Sequence, residues 1–372
     1  MCKILIDSRS LFDQNKGGIT IYTQKLIEAF LQQQDNLSYY YLQNNWRQKY
    51  QSIMALEPNK IVNYSVPSKV FNLAQLLCQR PRVDLRHCFD LVWQPSFNFI
   101  SISQRCKYVL TVHDLSFLIN PHWFDRQRRL WHWLQAVKKM LFRADHIVTV
   151  SENTKQDLDY FFNIKSDKIT VISSGANDLV VADNNQVLRF ELPAKYFFYY
   201  GTIEPRKNIV ALVTAWQKLV QQDKYRDIHL VIGGSFGWGM NSFMKNYIQK
   251  NIKNLHYLNY LNDQEKKVLI QRCLALIWPT FYEGFGFPLV ECLKYNIKVI
   301  TSYSSAIPEI TQNQVVMINP YNVNDIILAM QMVVDDKFNI NKDQTVSLVA
   351  KYQWSETARQ YNDLFKRLMA NL

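Results

Sequence analysis

Two glutamates on either side of a glycine-containing turn are the densest candidate for chemistry in this chain. Glu283 and Glu291 enclose the sequence GFGFPLV, and the segment follows the apolar run at 274–278. Ionised carboxylates only accept hydrogen bonds, so this pair could hold the hydroxyl groups of a sugar. Glycine lets bare backbone N–H groups approach a ligand, and the start of a helix attracts phosphate. The alternative is a helix N-terminus that only prefers acids and uses glycine for a tight turn.

A second candidate is the cationic pair Arg206-Lys207, which lies in the segment GTIEPRKN at 201–208. Arginine presents a planar fork of donors and lysine a point charge, so together they could neutralise a diphosphate. Two solvated cations in a loop are the alternative for an isolated Arg-Lys pair.

The glycine pair Gly17-Gly18 follows the first apolar run and opens an amphipathic segment. It would let the backbone approach a ligand at a helix start, or it would only form a tight turn.

The pair His113-Asp114 follows the apolar run at 108–112. Polar groups at the carboxyl end of a strand lie where α/β enzymes place reactive groups. His113 could donate a hydrogen bond or share a proton, with Asp114 orienting it. A histidine with only a structural role is the alternative.

The elements that must position these residues alternate between short apolar runs and longer periodic segments, which predicts parallel sheets covered by helices. A polar stretch at 173–193 is the predicted connector. We therefore expect an α/β fold with two Rossmann-like domains facing a central cleft, and ligands at the carboxyl ends of the strands. Strands are predicted at 3–7, 38–42, 91–93, 109–112, 146–150, 169–172, 196–200, 229–232, 255–258, 274–278, 298–300 and 315–318, and helices at 126–143, 152–161, 208–220, 263–272, 288–293, 322–334 and 354–368, besides the one that opens at Gly17-Gly18.

Composition limits the class of protein. Of the 372 residues, 48% are hydrophobic and 20% charged, as in ordinary globular proteins and unlike disordered chains. The six cysteines are scattered and form no C-x-x-C pair, so reduced thiols are expected and neither a disulfide framework nor a zinc site is. We see no signal peptide and no apolar window that would span a membrane.

The formal charge of +12 is concentrated at the front of the chain, because residues 1–143 contain nineteen Lys and Arg against nine Asp and Glu. This part should attract phosphates, nucleic acid or an acidic membrane surface, unless the charge only serves solubility. A nucleic-acid-binding protein is disfavoured because no recognisable RNA- or DNA-binding motif is present.

Residues 126–143 hold six cations and no anion, interleaved with apolar and tryptophan residues. The pattern predicts a basic amphipathic helix on an anionic leaflet, or a helix that buries its apolar side on the sheet and exposes a solvated basic face. The cations are Arg126, Arg128, Arg129, Lys138, Lys139 and Arg143.

Five segments together resemble the family-4 (group 1) retaining glycosyltransferases of the GT-B fold, over most of the chain. In the family's order they are GGITIYTQKL, TVHDLSFLINPHWF, ADHIVTVSENTKQDL, YYGTIEPRKNIVALVTAW and PTFYEGFGFPLVECLKYNIKVITSYSSAIPEI, the last with an E-x7-E signature. The forms GTIEPRKN and HDLSFLINPHWF look most like the mannosyltransferase branch.

The resemblance implies an acceptor-binding domain at 1–180, joined by the C-terminal helix at 354–372, and a nucleotide-sugar-binding domain at 181–353. It also implies that no metal and no cofactor is needed besides a nucleotide-diphosphate sugar as co-substrate, for which GDP-mannose is the first choice.

For the donor site, the resemblance implies that Arg206 and Lys207 hold the diphosphate and stabilise it as it leaves. Glu283 would bind hydroxyls of the donor sugar, and Glu291 would bind the ribose. Thr202 stands where several relatives have arginine, so three cations around the diphosphate cannot be assumed.

Other residues receive roles by the same resemblance. Gly17 and Gly18 would approach the diphosphate or the acceptor, and His113 would contact the transferring sugar. The backbone near sugar and phosphate would be that of Gly284, Phe285, Gly286 and Phe287.

The resemblance thus implies a hexosyltransferase that acts by front-face attack, in which the acceptor hydroxyl gives its proton to the departing phosphate. The acceptor would be a glycan or a polyprenol- or lipid-linked sugar in polysaccharide or lipopolysaccharide assembly, in the cytoplasm and peripheral on the inner membrane. A UDP-sugar-dependent transferase, a UDP-sugar epimerase of the same fold and a degenerate sugar-nucleotide-binding subunit are the alternatives.

Overall fold

The chain forms two compact units, each built on its own sheet. A computed structural model describes residues 2–12, 17–33, 35–44, 56–134, 137–176, 189–248, 250 and 252–370. The first unit comprises Met1–Leu115, Leu130–Gly175 and Trp354–Leu372, and the second comprises Ser116–Arg129 and Ala176–Gln353. The boundary predicted between residues 180 and 181 and much of the predicted connector fall on 177–188, outside the described residues.

The sheet of the first unit has seven parallel strands in the order β3-β2-β1-β4-β5-β6-β7. Both faces of its central strands are buried, so these strands are short runs of apolar residues with no polar alternation. In β1, for example, Ile4, Leu5 and Ile6 are fully buried. The order changes direction between β1 and β4, which makes a topological switch point there. The strands are β1 Cys2–Asp7, β2 Leu37–Gln43, β3 Ile61–Asn63, β4 Leu91–Gln94, β5 Lys107–Val112, β6 His146–Thr149 and β7 Ile169–Val171.

The sheet of the second unit has six parallel strands in the order β10-β9-β8-β11-β12-β13. Counted within the unit, this is the Rossmann order 3-2-1-4-5-6, with its switch point between β8 and β11. The two sheets confirm the predicted α/β class with two Rossmann-like domains. The strands are β8 Tyr196–Tyr200, β9 His229–Gly233, β10 Leu255–Tyr257, β11 Ala275–Trp278, β12 Val299–Ser302 and β13 Val316–Ile318.

Helices connect the strands. The predicted helix at 126–143 corresponds to α4 and α5, and residues 135–136 between them lie outside the described residues. No helix among the described residues is long and apolar enough to cross a lipid bilayer. The helices are α1 Gly18–Gln32, α2 Ser68–Leu77, α3 Ser116–Ile119, α4 Arg126–Leu134, α5 Val137–Arg143, α6 Glu152–Phe162, α7 Ile209–Val220, α8 Asn241–Phe243, α9 Asp263–Arg272, α10 Phe287–Lys294, α11 Ile307–Thr311, α12 Val323–Val334, α13 Lys342–Val349 and α14 Trp354–Met369.

The C-terminal helix α14 packs against α1 in the first unit through a buried chain of hydroxyl groups. The Tyr361 hydroxyl lies 2.7 Å from the Tyr22 hydroxyl and 2.7 Å from Oγ1 of Thr111. The Trp93 indole N–H donates to the same Thr111 oxygen at 3.0 Å. Buried polar groups are stable only when they are hydrogen-bonded, so this network fixes how α14 sits on the unit.

Candidate active site

The loops that carry the predicted donor-binding residues leave the second sheet side by side. Strand β8 ends at Tyr200 and its neighbour β11 ends at Trp278, on the two sides of the switch point. Ligands of open α/β sheets bind in the crevice outside the carboxyl ends of the strands at such a point. The segments 201–208 and 279–286 therefore begin where this fold places a ligand.

Glycine is required at the turn after β8 because two backbone segments approach each other closely. Gly201 has a φ of +130°, and a Cβ atom there would lie 2.9 Å from the Trp278 ring. Gly234 has a φ of +131°, and its Cβ atom would lie 2.0 Å from the Gly201 carbonyl oxygen. Neither position accepts a side chain without movement of the loop.

The structure brings Arg206, Lys207 and Glu283 into direct contact. Lys207 Nζ donates to Glu283 Oε1, and Arg206 Nη1 lies 3.3 Å from Glu283 Oε2. The side chains are 13%, 11% and 8% exposed for Arg206, Lys207 and Glu283, so the two cations are not the solvated loop residues of the alternative interpretation.

Glu283 is also held by neighbours that contribute no charge. The Trp278 indole N–H donates to Glu283 Oε1 at 3.0 Å, and the backbone N–H of Glu283 donates to Ser305 Oγ at 2.8 Å. Lys207 Nζ lies 4.7 Å from the centre of the Trp278 ring, a distance typical of a cation–π contact. The ring thus contacts both members of the Lys207–Glu283 pair.

A second carboxylate, which the sequence analysis missed, belongs to the same cluster. Glu204 Oε1 accepts from Arg206 Nε at 3.1 Å and from Nη2 at 2.9 Å, and Glu204 is buried. Arg206 Nη1 also donates to the carbonyl oxygen of Tyr282 at 2.6 Å. All three guanidinium nitrogens are therefore engaged, and the cluster contains two acids and two bases.

The groups around Lys207 shift its pKa in opposite directions. Burial and the neighbouring Arg206 lower the pKa of Lys207, while Glu283 and Glu204 raise it, and the net direction is down. A lysine whose charge is costly in the free protein gains when an anionic ligand is bound beside it.

The turn before α10 uses glycine for its conformation. Gly286 is the N-cap of α10 with a φ of +91°, and a Cβ atom there would lie 2.9 Å from Leu289 Cδ1. The Phe285 ring packs against Phe287 and Tyr352, with centroids 5.3 and 5.4 Å away. The Phe285 side chain is thus part of the core, so a ligand at this turn would meet backbone atoms.

Glu291 is buried in α10 and has its own partners. The Tyr200 hydroxyl donates to Glu291 Oε2 at 2.6 Å, and Lys266 Nζ of α9 lies 3.4 Å from the same oxygen. Burial and the adjacent Glu291 raise the pKa of Tyr200 well above its usual value, so the phenol stays a donor. Thr202 is exposed, and its backbone carbonyl accepts from the Tyr199 hydroxyl at 3.1 Å.

Two other predicted sites belong to the first unit. Gly17 is the N-cap of α1, with a φ of −85°, and Gly18 is the first helical residue. A Cβ atom on Gly17 would meet no described atom within 4 Å. Neither its backbone conformation nor local packing therefore requires glycine at position 17.

His113 follows β5 and is oriented by a backbone carbonyl. Its Nε2 lies 2.8 Å from the Pro95 oxygen, which can only accept, so Nε2 carries the proton and Nδ1 is the acceptor. The Tyr22 ring meets the imidazole edge-on, with centroids 4.6 Å apart. Burial lowers the pKa of His113, which favours the neutral ring.

Within the described ranges, no group of three or more His, Cys, Asp or Glu side chains is placed to hold a metal ion.

Comparison with known proteins covers both units. Residues 16–178 match the profile described as Glycosyltransferase Family 4, and residues 181–349 match that of Glycosyl transferases group 1. The O-antigen chain mannosyltransferase B of Escherichia coli is 26% identical over 281 residues, which are 73% of each chain. The serotype-specific mannosyltransferase WbdA of Escherichia coli is 26% identical over 274 residues, which are 71% of this chain and 34% of WbdA. This chain thus spans about a third of that relative.

A solved structure with the same fold is the sucrose-phosphate synthase of Thermosynechococcus elongatus. It aligns over 100% of both chains with a TM-score of 0.76 and 16% identity. One family profile ends and the other begins between strands β7 and β8, so the first covers β2 to β7 of the first Rossmann-like sheet and the second covers all strands of the second sheet. The family profiles and the fold therefore agree, and the chain belongs to the group 1 (family 4) glycosyltransferases of the GT-B fold.

Proposed function

We propose that this enzyme is a retaining, metal-independent hexosyltransferase that moves mannose from GDP-mannose onto a glycan or lipid-linked acceptor. The observation that carries the proposal is the buried cluster of Arg206, Lys207 and Glu283 at the switch point of the second sheet. The choice of mannose is supported by the two relatives described above, both of which are mannosyltransferases. The relative described as acting on the O-antigen chain supports a role in cell-surface polysaccharide assembly.

The reaction replaces one bond to the anomeric carbon by another on the same face of the sugar. The bond from C1 to the β-phosphate oxygen breaks, and the bond from C1 to the acceptor oxygen forms. The acceptor proton passes to the departing phosphate. Lys207 stabilises the negative charge that develops on the leaving group, the main contribution that fixed charges make in such a step.

Donor binding exchanges the partners of the cluster. The diphosphate takes over Lys207, and Glu283 turns from that ammonium group to hydroxyls of the sugar, for which its acceptor oxygens are suited. Arg206 remains tied to Glu204 and keeps the loop in place. Glu291, held by Tyr200 and Lys266, receives the ribose hydroxyls.

We further propose roles for two predicted sites of the first unit. The bare backbone at Gly17-Gly18 approaches the diphosphate or the acceptor, and Nδ1 of His113 accepts a hydrogen bond from a hydroxyl of the transferring sugar. A lipid-linked acceptor requires the enzyme to work at the cytoplasmic face of a membrane, as a peripheral protein.

The test is a thermal-shift screen over GDP-mannose, UDP-hexoses and ADP-glucose, followed by turnover with the ligand that binds. A ligand that binds only the native state raises the melting temperature, and we expect this for GDP-mannose. Product analysis by NMR should show an unchanged anomeric configuration, and turnover should persist in EDTA. A shift with UDP-sugars alone would contradict the choice of GDP-mannose as donor, and an epimerised sugar formed without an acceptor would indicate an epimerase.

A further inference from the structure

Helix α2 of the first unit carries an exposed apolar row. Phe71 and Gln75 are its buried residues, and Phe71 packs in a core cluster with Val62 and Phe89. Val70, Leu73 and Leu77 follow the i, i+3, i+7 spacing of one helix face, and 54%, 55% and 70% of their surfaces are exposed. A row of exposed aliphatic side chains on one helix marks an interaction site more often than a lone one does.

Positive charge accompanies this row, and between residues 64 and 88 no exposed acid balances it. Four exposed cations lie at or after the helix, and none of them forms a salt bridge with a described residue. The single carboxylate between residues 64 and 88 is Asp84, which is buried and accepts from the Ser103 hydroxyl and backbone N–H. The cations are Lys69, Arg80, Arg82 and Arg86.

The loop after α2 is held in place by hydrogen bonds to its backbone. Gln75 Nε2 donates to the Pro81 carbonyl at 2.9 Å, and Ser101 Oγ donates to the Gln79 carbonyl at 2.6 Å. The backbone N–H of Val83 donates to the Ser101 carbonyl at 3.0 Å. Arg80 and Arg82 are therefore exposed on a fixed backbone, which lowers the entropy lost when they bind a partner. Arg86 is exposed as well, but it already donates to the Asn63 carbonyl at 2.9 Å and lies over the Tyr64 ring.

We propose that these residues form a docking surface for an anionic lipid leaflet. This α2 surface consists of the aliphatic residues Val70, Leu73, Leu77 and the exposed Leu85, with the cations Lys69, Arg80, Arg82 and Arg86. The aliphatic side chains enter the boundary between headgroups and acyl chains, while the cations contact lipid phosphates.

Charge and chemistry select lipid over other occupants. A second copy of the chain would bring the same four cations face to face, which repels. Nucleic acid would meet the cations but would leave the aliphatic row without an apolar partner, because its surface is phosphate, sugar and base edge. An anionic leaflet offers both complements at once.

The α2 surface differs from residues 126–143, for which the sequence left open membrane contact or packing on the sheet. That segment also exposes Leu130, Trp131 and Phe142, by 55%, 41% and 54%. At 137–143, Val137 and Leu141 are buried, and Arg143 is tied to Asp145 and to the carbonyl oxygen of Ser103. Lys138 and Lys139 remain exposed there, which provides a matched control. The inference agrees with a lipid-linked acceptor in the proposed function, but its test needs neither donor nor acceptor.

The experiment is co-sedimentation of the full chain with vesicles of phosphatidylcholine, with and without phosphatidylglycerol. Wild type should bind the anionic vesicles, bind neutral vesicles much more weakly, and be released by salt. The double variant R80Q/R82Q should weaken binding by at least tenfold, since each cation near an anionic leaflet contributes about fivefold. The variant K138Q/K139Q loses the same charge and should bind within about twofold of wild type.

The apolar half of the surface has its own variant. L73S/L77S should lose most vesicle binding at constant charge, and its melting temperature should stay close to that of wild type because both side chains are more than half exposed. The proposal would be overturned if L73S/L77S and R80Q/R82Q bound vesicles as well as wild type does. It would also be overturned if K138Q/K139Q lost as much vesicle binding as R80Q/R82Q. A third contrary outcome is that wild type binds no vesicles but forms a dimer in light scattering, and that L73S/L77S abolishes this dimer.

Discussion

The ammonium group of Lys207 is bonded to the carboxylate of Glu283, a residue 76 positions further along the chain. The pair is buried at the switch point of the second sheet, with Arg206 and Trp278 on the same carboxylate. The groups expected to grip a diphosphate and a sugar are therefore joined to each other. This pairing fixes the positions of the two side chains relative to each other.

Replacing Lys207 by alanine should reduce kcat by about 10²–10³, because it removes a fixed positive charge from the leaving group. The fold should survive, since Glu283 keeps Arg206 and the Trp278 indole as partners. Initial rates at saturating donor measure the effect. The exposed Lys218→Ala on α7 is the matched control and should keep wild-type rates; similar rates in both variants would refute the role of Lys207.

Two substitutions of His113 distinguish the roles of its two ring nitrogens. Asparagine places an acceptor near the position of Nδ1, whereas glutamine retains a donor near Nε2 for the Pro95 carbonyl. If Nδ1 meets the sugar, His113→Asn should keep more kcat than His113→Gln. The comparison is made on steady-state rates, with melting temperatures as the check on folding; the reverse order would assign His113 to the Pro95 contact alone.

Alanine at position 17 tests whether the glycine serves a ligand. No described atom lies within 4 Å of the added methyl group, and the φ of −85° suits any residue. Gly17→Ala should therefore fold with an unchanged melting temperature while turnover falls by about tenfold or more, since a misplacement of about 1 Å near the reacting groups is costly. Unchanged turnover would show that no ligand approaches this backbone.

Acid should destabilise the first unit through His146. The imidazole is buried, and burial, with Arg367 and Lys168 nearby, lowers its pKa to about 4. Below about pH 6.5 the unfolded chain takes up a proton that the native state refuses. Stability is thus lost as the pH falls from about 6.5 to about 4, by about 3 kcal/mol in all.

Urea unfolding across this pH range measures the His146 effect. His146→Gln should make the pH dependence shallower whatever it does to the absolute stability, because it removes one of the histidines whose pKa is lowered by burial. The exposed His122→Gln serves as the control, and His146→Gln should change the slope more than this variant does. A wild-type slope in His146→Gln would assign the acid sensitivity to other groups.

Removal of the Tyr361 hydroxyl tests the contact of α14 with the first unit. Tyr361→Phe removes one hydrogen-bond partner from the buried Tyr22 hydroxyl and one from Thr111 Oγ1, which keeps the Trp93 indole N–H, at a cost of about 1–3 kcal/mol. Chemical denaturation measures this loss, and Tyr160→Phe, on a side chain that is 83% exposed, should cost almost nothing. Equal stability of the two variants would mean that water replaces the hydroxyl inside the network.

Periodicity was enough to predict the two parallel sheets, because buried central strands are continuous apolar runs flanked by amphipathic helices. The short strand β3 and helix α2 were missed. Strand β3 has three residues, too few for a periodic pattern. The i, i+3, i+7 row of α2, by contrast, does follow helical spacing and could have been read from the sequence. The order of the strands in each sheet could not be predicted either, because the alternation of strands and helices does not indicate which strands are neighbours.

The site was predicted in its residue types but not in its internal pairing. Arg206 and Lys207 read as free cations because their partners come from elsewhere: Glu283 lies after a different strand, and Glu204 was passed over as a loop residue. The Nε2–H tautomer of His113 depends on the Pro95 carbonyl, which is 18 residues away and carries no sequence signal. Such relationships arise only when the chain is folded.

The charges of the two acids, Glu204 and Glu283, and of the two bases, Arg206 and Lys207, cancel one another, so this cluster offers little net attraction to a bare phosphate. A nucleoside diphosphate without a sugar would take Lys207 from Glu283, which would keep Arg206 and the Trp278 indole but gain no new partner. The intact donor would also offer its sugar hydroxyls to Glu283. The same internal neutrality that stabilises the resting enzyme should therefore speed departure of its spent nucleotide, and protect it from inhibition by the free nucleotides that crowd a cell.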